Sequence, residues 1–195
     1  MYALTIIIIT LTSTMEGRQM KNEGIDLKKH IREIPDWPKK GILFRDITPL
    51  LLNPSAFAAA VDALSVDFTE MGIEYVAAVE ARGFIFGSAV AEKLDAGFVP
   101  IRKKGKLPWQ TESITYDLEY GTDTLEVHSD AIDSGGKVLM VDDLLATGGT
   151  MAAACELIEK IGGTIVGIAF LIELTGLQGR EKIADYNVTS IISYD

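Results

Sequence analysis

The chain has 195 residues, of which 48% are hydrophobic, and its 18 basic and 28 acidic side chains give a net charge of −10. This length suits one α/β domain with a sizeable core, and the hydrophobic content argues against disorder. The negative charge and the lack of a lysine- or arginine-rich tract disfavour nucleic-acid binding. The single cysteine, Cys155, excludes an internal disulfide and indicates a reducing compartment, which predicts a cytoplasmic location.

Residues 1–20 differ in character from the rest of the chain. Residues 3–11 form an apolar run, whereas a membrane-spanning helix needs about 20 apolar residues. No Lys or Arg precedes this run and no Ala-x-Ala site follows it before Met20, so a signal peptide is disfavoured and no membrane association is expected. We interpret the segment as the product of a misassigned start codon, or else as a strand-like arm that pairs elsewhere. The remaining residues, 21–195, are interpreted as a single domain.

Strand-like and helix-like segments alternate along this domain. The predicted strands cover residues 75–79, 97–101, 137–141, 164–172 and 188–193. The predicted helices cover residues 54–71, 84–94, 149–161 and 179–184. Apolar strands with intervening helices indicate an α/β fold, with a parallel sheet of about five strands flanked by helices on both faces.

Two segments interrupt this alternation. Residues 34–52 contain three prolines and a glycine, so we expect an irregular N-terminal hood segment that lies over the domain. Residues 103–130 show a period-2 pattern on both sides of a Gly121-Thr-Asp turn, which predicts a β-hairpin. An excursion of that length inside a compact domain is commonly a lid or a binding loop, and we interpret it as a hairpin lid.

The strongest functional signal is the stretch Val138-Leu-Met-Val-Asp-Asp-Leu-Leu-Ala-Thr-Gly-Gly-Thr150. It begins as a buried strand, ends in the acid pair Asp142 and Asp143, and passes through a glycine turn into a predicted helix. Unpaired backbone N–H groups and the positive end of the helix dipole surround such a turn, which suits one phosphate group. The carboxylates would repel a bare phosphate, so they should face sugar hydroxyls or a cation on the same ligand. Together these features predict a pocket for a ribose 5-phosphate.

Three other interpretations compete for this stretch. The turn could be only a tight connection between a strand and a helix, without a ligand. A nucleotide P-loop is disfavoured because GxxxxGK[ST] is absent and no lysine follows the glycines. A response-regulator receiver domain is disfavoured because its acid pair lies at the start of the domain, with a further strand carrying the phosphorylated Asp after it.

Charged side chains follow the ends of several predicted strands. They are Glu80, Arg82, Arg102, Asp142, Asp143 and Glu173. The carboxyl ends of parallel strands lie at one edge of a sheet, where ligands bind, so we expect these charges to converge there. Four cations also cluster in one stretch of this acidic chain, and we interpret them as ligands of an anionic substrate rather than as a solvated loop. They are Arg102, Lys103, Lys104 and Lys106.

These residues resemble the type I phosphoribosyltransferases, and the similarity runs from about residue 34 to residue 194. The acid-pair turn is typical of the whole superfamily. Members that act on adenine have stretches similar to Gly41-Ile-Leu-Phe-Arg-Asp46 and Leu118-Glu-Tyr-Gly-Thr-Asp123. The match extends to Glu80-Ala-Arg-Gly-Phe-Ile-Phe-Gly87 and Val99-Pro-Ile-Arg-Lys-Lys-Gly-Lys-Leu-Pro108. The resemblance implies the type I phosphoribosyltransferase fold, with the hood and the lid added to the sheet.

The resemblance also implies a reaction. The 5-phosphoribosyl group of 5-phosphoribosyl-1-pyrophosphate is transferred to adenine, which gives AMP and pyrophosphate, with Mg²⁺ as cofactor. The Mg²⁺ is expected to be held mainly by substrate and water, so no metal-ligand cluster is predicted. A homodimer is expected by the same resemblance. Two alternatives stay open: the same fold acting on another base, such as hypoxanthine or xanthine, and a non-catalytic regulator that senses phosphoribosyl pyrophosphate and binds RNA or DNA.

By the same resemblance each candidate site residue has a role. The 5-phosphate is held by Ala146, Thr147, Gly148, Gly149 and Thr150. The ribose hydroxyls face Asp142 and Asp143. The pyrophosphate is surrounded by Arg82, Arg102, Lys103 and Lys106. Adenine stacks on Phe44, is read by backbone groups of Leu43 and Arg45, and has Leu174 on its far face. The lid carries Tyr120 and the acid/base carboxylate Glu119. From the residues alone, Phe44 could be only a core aromatic and Glu119 only a solvated strand carboxylate.

Overall fold

The computed structural model describes residues 24–117 and 121–195, and the chain divides into two compact units. The first unit extends to Ala60 and the second comprises Val61–Asp195. Among the described residues, none of the helices has the length and hydrophobicity that a membrane span requires.

The first unit is built around a two-stranded antiparallel ribbon. Its elements are the 3-10 helix Leu27–His30, β1 (Arg32–Pro35), β2 (Leu43–Asp46), α1 (Thr48–Leu52) and the start of α2 (Pro54–Ser65). This regular structure corrects the prediction that residues 34–52 are irregular. The prolines are compatible with these elements. Pro35 is the last residue of β1, and Pro49 lies in the first turn of α1, where backbone N–H groups have no partner within the helix. The Asp46 carboxylate accepts the backbone N–H of Thr48 at 2.9 Å and so starts α1.

The second unit contains a mixed sheet with helices on both faces. Its strands are β3 (Tyr75–Val79), β4 (Gly97–Lys103), β5 (Thr111–Asp117), β6 (Thr122–His128), β7 (Lys137–Leu145), β8 (Thr164–Leu174) and β9 (Val188–Tyr194). Its main helices are α3 (Gly83–Lys93) and α4 (Gly149–Lys160). The order of the strands across the sheet is β5-β6-β4-β3-β7-β8-β9. The predicted parallel strands are all present, as β4, β3, β7, β8 and β9 in that spatial order.

The sheet has seven strands in the described residues rather than about five, because the predicted hairpin is part of it. Strands β5 and β6 pair antiparallel along their whole length, with Thr111 opposite His128 and Asp117 opposite Thr122. Strand β6 then pairs with the end of β4, where Lys103 lies opposite Leu125. The hairpin therefore extends the sheet beyond β4.

The two main helices cover opposite faces of the sheet because side chains alternate along each strand. On β3, Ala77 belongs to the hydrophobic core that contains the apolar side chains of α4. The next residue, Ala78, faces α3, and a Cβ placed on Gly87 of that helix would lie only 2.7 Å from the Ala78 Cβ. Close packing on both faces explains why the strands are almost continuously apolar.

The largest differences from the predicted elements concern two helices. The helix predicted over residues 54–71 ends at Ser65, whose hydroxyl donates to the carbonyl of Val61 at 2.7 Å, and a short 3-10 helix (Val66–Phe68) follows. The segment predicted as a helix over residues 179–184 is the 3-10 helix Gly179–Ile183. The spacing of apolar residues does not fix where a helix ends, and it does not distinguish a short 3-10 helix from an α-helix.

Candidate active site

A cavity of about 330 Å³ opens at the carboxyl ends of β3 and β7. It is lined by Val79, Glu80, Ala81, Arg82, the run from Asp142 to Met151, and Phe170. The lining therefore comes from the turn after β3, the end of β7, and the beginning of α4. This position is the one expected for a ligand site in a sheet of parallel strands, and it contains the acid pair and the glycine turn that the sequence singled out.

The phosphate turn, residues 146–150, is shaped by the backbone of Gly148. This residue is the N-cap of α4 and has a φ of 76°, in the left-handed region. Its carbonyl accepts the N–H of Ala152 at 2.9 Å, which is the first bond of the helix. By helix geometry the N–H groups of the following residues have no partner within α4, and they surround the turn at the positive end of the helix dipole. The turn is therefore built to hold an anion such as a phosphate.

Two neighbours hold the phosphate turn in place. The hydroxyls of Thr150 and of Tyr116 on β5 lie 3.2 Å apart and share a hydrogen bond. On another side, Gly148 lies against Gly179, and a Cβ placed on Gly148 would be 2.3 Å from the Gly179 carbonyl oxygen. By contrast, a Cβ on Gly149 would meet nothing closer than 3.7 Å. Gly148 is thus required by packing as well as by its φ, whereas Gly149 leaves space in front of the turn.

The acid pair is asymmetric. Asp143 is buried, with 5% of its surface exposed, and its carboxylate accepts a hydrogen bond from Nε of Arg82 at 2.5 Å. The backbone N–H of Asp143 donates to Oδ1 of Asp142 at 2.8 Å. Burial, and then the charge of Asp143, raise the pKa of Asp142 well above its usual value. Asp142 is held near the start of α3 because Gly83 has no side chain: a Cβ there would lie 2.7 Å from the Asp142 carboxylate.

The carboxylate of Glu80 gathers cations beside the cavity. Its oxygens lie 3.0 Å from Nη2 of Arg102 and 3.1 Å from Nζ of Lys106, and they accept the backbone N–H of Lys103 at 2.8 Å. Burial opposes the ionisation of Glu80, but these three donors together bring its pKa below the usual value. The peptide bond that follows Glu80, to Ala81, is cis. Glu80 was recognised in the sequence only as a strand-end charge, and the structure makes it the shared partner of two predicted pyrophosphate ligands.

The four predicted pyrophosphate ligands thus have three different partners. Arg102 and Lys106 share Glu80, Arg82 contacts Asp143, and Nζ of Lys103 lies 3.0 Å from the Asp123 carboxylate on β6. The side-chain hydrogen bond from Lys103 lowers the pKa of Asp123 against the opposing effect of burial, and the same contact raises the pKa of Lys103. Neighbouring residues of a strand point to opposite sides, which separates the side chain of Lys103 from that of Arg102.

The predicted base-recognition residues lie mostly in the first unit. Leu43, Phe44 and Arg45 are consecutive residues of β2. The ring of Phe44 packs edge-on against Trp37, with the ring centroids 4.4 Å apart, and the guanidinium of Arg45 pairs with the Glu33 carboxylate. Within the second unit, Leu174 is the half-buried last residue of β8.

The two predicted lid residues, Glu119 and Tyr120, lie outside the described residues. The described chain stops at Asp117, the last residue of β5, and resumes at Gly121, which has a φ of 92°. The roles assigned to these two residues remain predictions.

The fold and the cavity define a class of protein: a mixed sheet with a strand-end acid pair, a glycine turn for phosphate and an edge hairpin is the type I phosphoribosyltransferase fold. The model of the phosphoribosyl transferase domain matches residues 51–195, and the chain belongs to this family.

The chain is similar to several adenine phosphoribosyltransferases. It is 56% identical over 170 residues to the adenine phosphoribosyltransferase of Pseudothermotoga lettingae, a match that covers 87% of this chain and 100% of the relative. Its structure is similar to that of the adenine phosphoribosyltransferase from Rhodothermus marinus, with a TM-score of 0.83, 51% identity, and coverage of 90% of this chain and 99% of the other. The Saccharomyces cerevisiae enzyme, solved with an imino-altritol bisphosphate and adenine, has a TM-score of 0.81 and 40% identity, with coverage of 89% and 99%.

Proposed function

We propose that this chain transfers the 5-phosphoribosyl group of phosphoribosyl pyrophosphate to adenine, giving AMP and pyrophosphate. The observation that carries the proposal is the cavity that brings the phosphate turn, the acid pair and Arg82 together. A phosphate-binding turn beside two carboxylates fits a phosphorylated sugar better than a bare phosphate. The relatives described above, which are named for this reaction, identify adenine as the acceptor.

Each part of phosphoribosyl pyrophosphate has matching residues in the cavity or beside it. The 5-phosphate binds at the phosphate turn, where Ala146, Thr147, Gly148, Gly149 and Thr150 present backbone N–H groups and two hydroxyls. The ribose hydroxyls lie against Asp142 and Asp143. The pyrophosphate binds among Arg82, Arg102, Lys103 and Lys106, whose carboxylate partners it replaces.

The acid pair also contributes to the chemical step. Breaking the bond between C1 of the ribose and pyrophosphate builds positive charge on the sugar ring, as in glycoside transfer. Carboxylates fixed against the ring hydroxyls stabilise that charge because they are already in place when it develops. The carboxylate of Asp142 accepts the backbone N–H of Asp143, a contact that does not involve the cations, so Asp142 keeps its direction during the reaction.

The leaving group is a polyanion and needs positive charge around it. The side chains of Arg102 and Lys106 are already gathered by Glu80, so moving from this carboxylate to pyrophosphate oxygens requires only a local change of partner. We propose Mg²⁺ as the cofactor, held mainly by substrate oxygens and water with the nearby carboxylates as its only protein neighbours. This fits the residues present, since Mg²⁺ needs hard oxygen donors and commonly uses one or two carboxylates with substrate phosphates. When bound, the ion supplies further neutralisation of the pyrophosphate.

The ribbon of the first unit supports the proposed reading of the base by Leu43 and Arg45. Leu43 lies opposite Pro35, which has no N–H, so this pair is expected to be a non-hydrogen-bonded one. The two kinds of pair alternate along antiparallel strands, which makes the pair of Arg45 with Glu33 non-hydrogen-bonded as well. The backbone N–H and C=O groups of Leu43 and Arg45 then point away from β1, as they must if they read the edge of a purine while Phe44 stacks on its face.

Several features of the proposal depend on the sequence alone. Glu119 is the acid/base group that takes the proton from adenine as it attacks, and Tyr120 lies beside it in the lid. Residues 34–52 act as the hood and residues 103–130 as the lid, within a single domain over residues 21–195, and Leu174 bounds the base. A homodimer and a cytoplasmic location complete the proposal; the latter is supported by the single, buried cysteine.

The test is a product assay. The purified chain is mixed with Mg²⁺ and phosphoribosyl pyrophosphate, adenine, hypoxanthine or guanine is added in turn, and nucleotide and pyrophosphate are measured by chromatography. We expect AMP from adenine and no nucleotide from the other bases. A product from another base would leave the family assignment intact and show that adenine is not the acceptor. Tight binding of phosphoribosyl pyrophosphate without any product would favour a regulator instead.

A further inference from the structure

The loop that follows β8 touches the phosphate turn through the backbone of Gly179. A Cβ placed on Gly179 would lie 2.2 Å from the carbonyl oxygen of Ala146 and 3.0 Å from the nitrogen of Gly148. The reverse contact, from Gly148 to the Gly179 carbonyl, is equally close. Because the backbone of Gly179 lies directly against the backbone of Ala146 and Gly148, a shift of Gly179 is transmitted to the turn.

The position of Gly179 is set by the next residue. The guanidinium of Arg180 donates to both oxygens of Glu173, with Nε 2.8 Å from Oε1 and Nη2 2.7 Å from Oε2. It also donates to the carbonyl of Val188 at 2.9 Å and to the hydroxyl of Ser190 at 3.1 Å. One side chain therefore joins the end of β8 to the first half of β9.

The Glu173 carboxylate is the buried partner of Arg180. The Glu173 carboxylate is buried, with 7% of the residue exposed, at the end of β8. The side-chain hydrogen bond from Arg180 is the main cause that lowers the pKa of Glu173, and it outweighs the effect of burial. A planar guanidinium that binds both oxygens of a carboxylate fixes direction as well as distance, which a lysine ammonium does not do.

We propose that Arg180 is a positioning residue for the phosphate turn: by fixing Gly179 against Ala146 and Gly148, it holds the turn in the shape that binds the 5-phosphate. The inference rests on the proposed function, since it concerns how the same cavity holds phosphoribosyl pyrophosphate. Arg180 itself touches no substrate. Its loss lets Gly179 move, so the N–H groups of the turn no longer converge on the phosphate.

The test separates positioning from simple stabilisation. Arg180→Lys keeps the positive charge but removes the guanidinium that binds both oxygens of Glu173. Glu173 then still has a cationic neighbour, so the variant is expected to fold. The matched control is Thr175→Val, because the Thr175 hydroxyl ties the same loop to β9 through the carbonyl of Tyr194 at 3.1 Å without touching the turn. For each protein the thermal midpoint, the Kd of phosphoribosyl pyrophosphate by calorimetry, and KM and kcat for both substrates are measured.

For Arg180→Lys we expect the Kd and the KM of phosphoribosyl pyrophosphate to rise about tenfold, as a small misplacement of a binding group does. The KM of adenine should stay within about twofold, so the loss appears in binding of one substrate only. Thr175→Val should lower the thermal midpoint by a similar amount but leave that Kd unchanged. Should Arg180→Lys fail to fold, Ser190→Ala removes one of the Arg180 contacts, and it should raise the same Kd by about twofold.

An unchanged Kd in Arg180→Lys, with a lowered thermal midpoint, would overturn the inference and leave the proposed function intact. An equal rise in Kd for Thr175→Val would also overturn it, because the effect would then follow from loosening the edge in general. If the unaltered chain binds phosphoribosyl pyrophosphate but forms no AMP, the effect on Kd still tests the role of Arg180 while the proposed function fails. If the unaltered chain does not bind phosphoribosyl pyrophosphate, both are wrong.

Discussion

The phosphate turn and the neighbouring cation cluster (Arg82, Arg102, Lys103 and Lys106) are two anion-binding regions built in opposite ways. The turn uses backbone N–H groups that a buried glycine and the start of α4 put in place. The cation cluster uses long side chains that are one-third to one-half exposed, each of which contacts a carboxylate. One region is fixed by the fold, and the other is held by ion pairs in which the cationic side chains are partly exposed to solvent and the carboxylates are mostly buried.

This difference corresponds to the fates of the two anions in the proposed reaction. The 5-phosphate stays on the ribose from substrate to product, so a rigid site that loses little entropy on binding suits it. The pyrophosphate is released in every cycle, and cations that can return to Glu80, Asp123 and Asp143 suit a leaving group. Their cationic side chains are partly exposed, so a ligand oxygen can reach them and take the place of a carboxylate oxygen.

The largest effect expected is that of Gly148→Ala, which tests the rigid region. The added methyl group would lie 2.3 Å from the Gly179 carbonyl, and the φ of 76° is unfavourable for alanine. We expect kcat/KM for phosphoribosyl pyrophosphate to fall by about 100-fold or more, because the turn must shift to make room. Steady-state kinetics with AMP as the measured product checks the expectation.

Gly162→Ala is the matched control for this substitution. Gly162 has a φ of 92°, and a Cβ there would meet nothing closer than 3.6 Å. It therefore carries the same backbone strain without the collision and far along the chain from the turn, at the end of α4. Comparable losses of activity in both variants would mean that strain alone, and not the contact with Gly179, explains the effect.

A second, smaller loss is expected from Asp142→Asn, which tests the acid pair between the two regions. The amide oxygen can still accept the N–H of Asp143, so the shape is kept while the charge is lost. We expect kcat to fall by roughly 100-fold, as when one charge-stabilising group is removed from an active site. Activity and thermal unfolding of the same preparation are measured together.

The stability of Asp142→Asn should change in the other direction. The pKa of Asp142 is raised in the folded state, so ionisation favours the unfolded chain, and this cost grows as pH rises from the unfolded pKa to the folded pKa. At neutral pH the neutral amide avoids the cost, and the thermal midpoint should rise by roughly 2–4 °C for each kcal/mol gained. Asp143→Asn is the contrasting variant: it removes the carboxylate that Arg82 contacts and should lower the midpoint. A lower thermal midpoint in both variants would show that ionisation of Asp142 costs the folded state little.

The rigid region could be predicted from the sequence almost completely. The strand before Asp142, the glycine turn and the helix after it are local features, and local patterns of apolar residues, glycines and helix starts specify them. The same reasoning found the five parallel strands with ends that differ by no more than four residues, because each contains a run of mainly apolar, strand-forming residues. Even so, the pattern could not show that Gly148 packs against Gly179, since that contact joins segments about 30 residues apart.

For the cation cluster, the sequence predicted the pyrophosphate ligands but not their partners within the fold. Sequence position indicated that Arg82, Arg102, Lys103 and Lys106 lie near one edge of the sheet, but which carboxylate each contacts depends on strand pairing. The contact of Lys103 with Asp123 exists because the hairpin joins the sheet next to β4, whereas the sequence had suggested a separate lid. For the same reason Glu80 and Arg180 were assigned no role in advance.

The third substitution, Arg102→Ala, tests the cation cluster, and its expected effect is smaller than the two above. We expect the KM of phosphoribosyl pyrophosphate to rise about tenfold, in line with the loss of one charge-assisted contact. Inhibition by pyrophosphate should weaken in proportion, whereas inhibition by AMP should change little, because AMP lacks the group that Arg102 binds. Lys93→Ala is the control, since Lys93 pairs with Asp62 and does not line the cavity. A change in AMP inhibition as large as that for pyrophosphate would show that the two regions are not separate.

The smallest effect expected concerns ionic strength, and it compares the two regions without any substitution. Raising salt from about 0.1 M to 1 M shortens the screening length from about 10 Å to 3 Å, which weakens contacts between exposed charges and an anion. The inhibition constant of pyrophosphate should therefore rise several-fold over this range, because its ligands are exposed side chains. That of AMP should rise less, because its phosphate meets backbone N–H groups at the end of a helix in a partly enclosed cavity. Equal salt dependence for the two inhibitors would remove the distinction between a fixed and an exchangeable site, since both anions would then be held mainly by exposed charge.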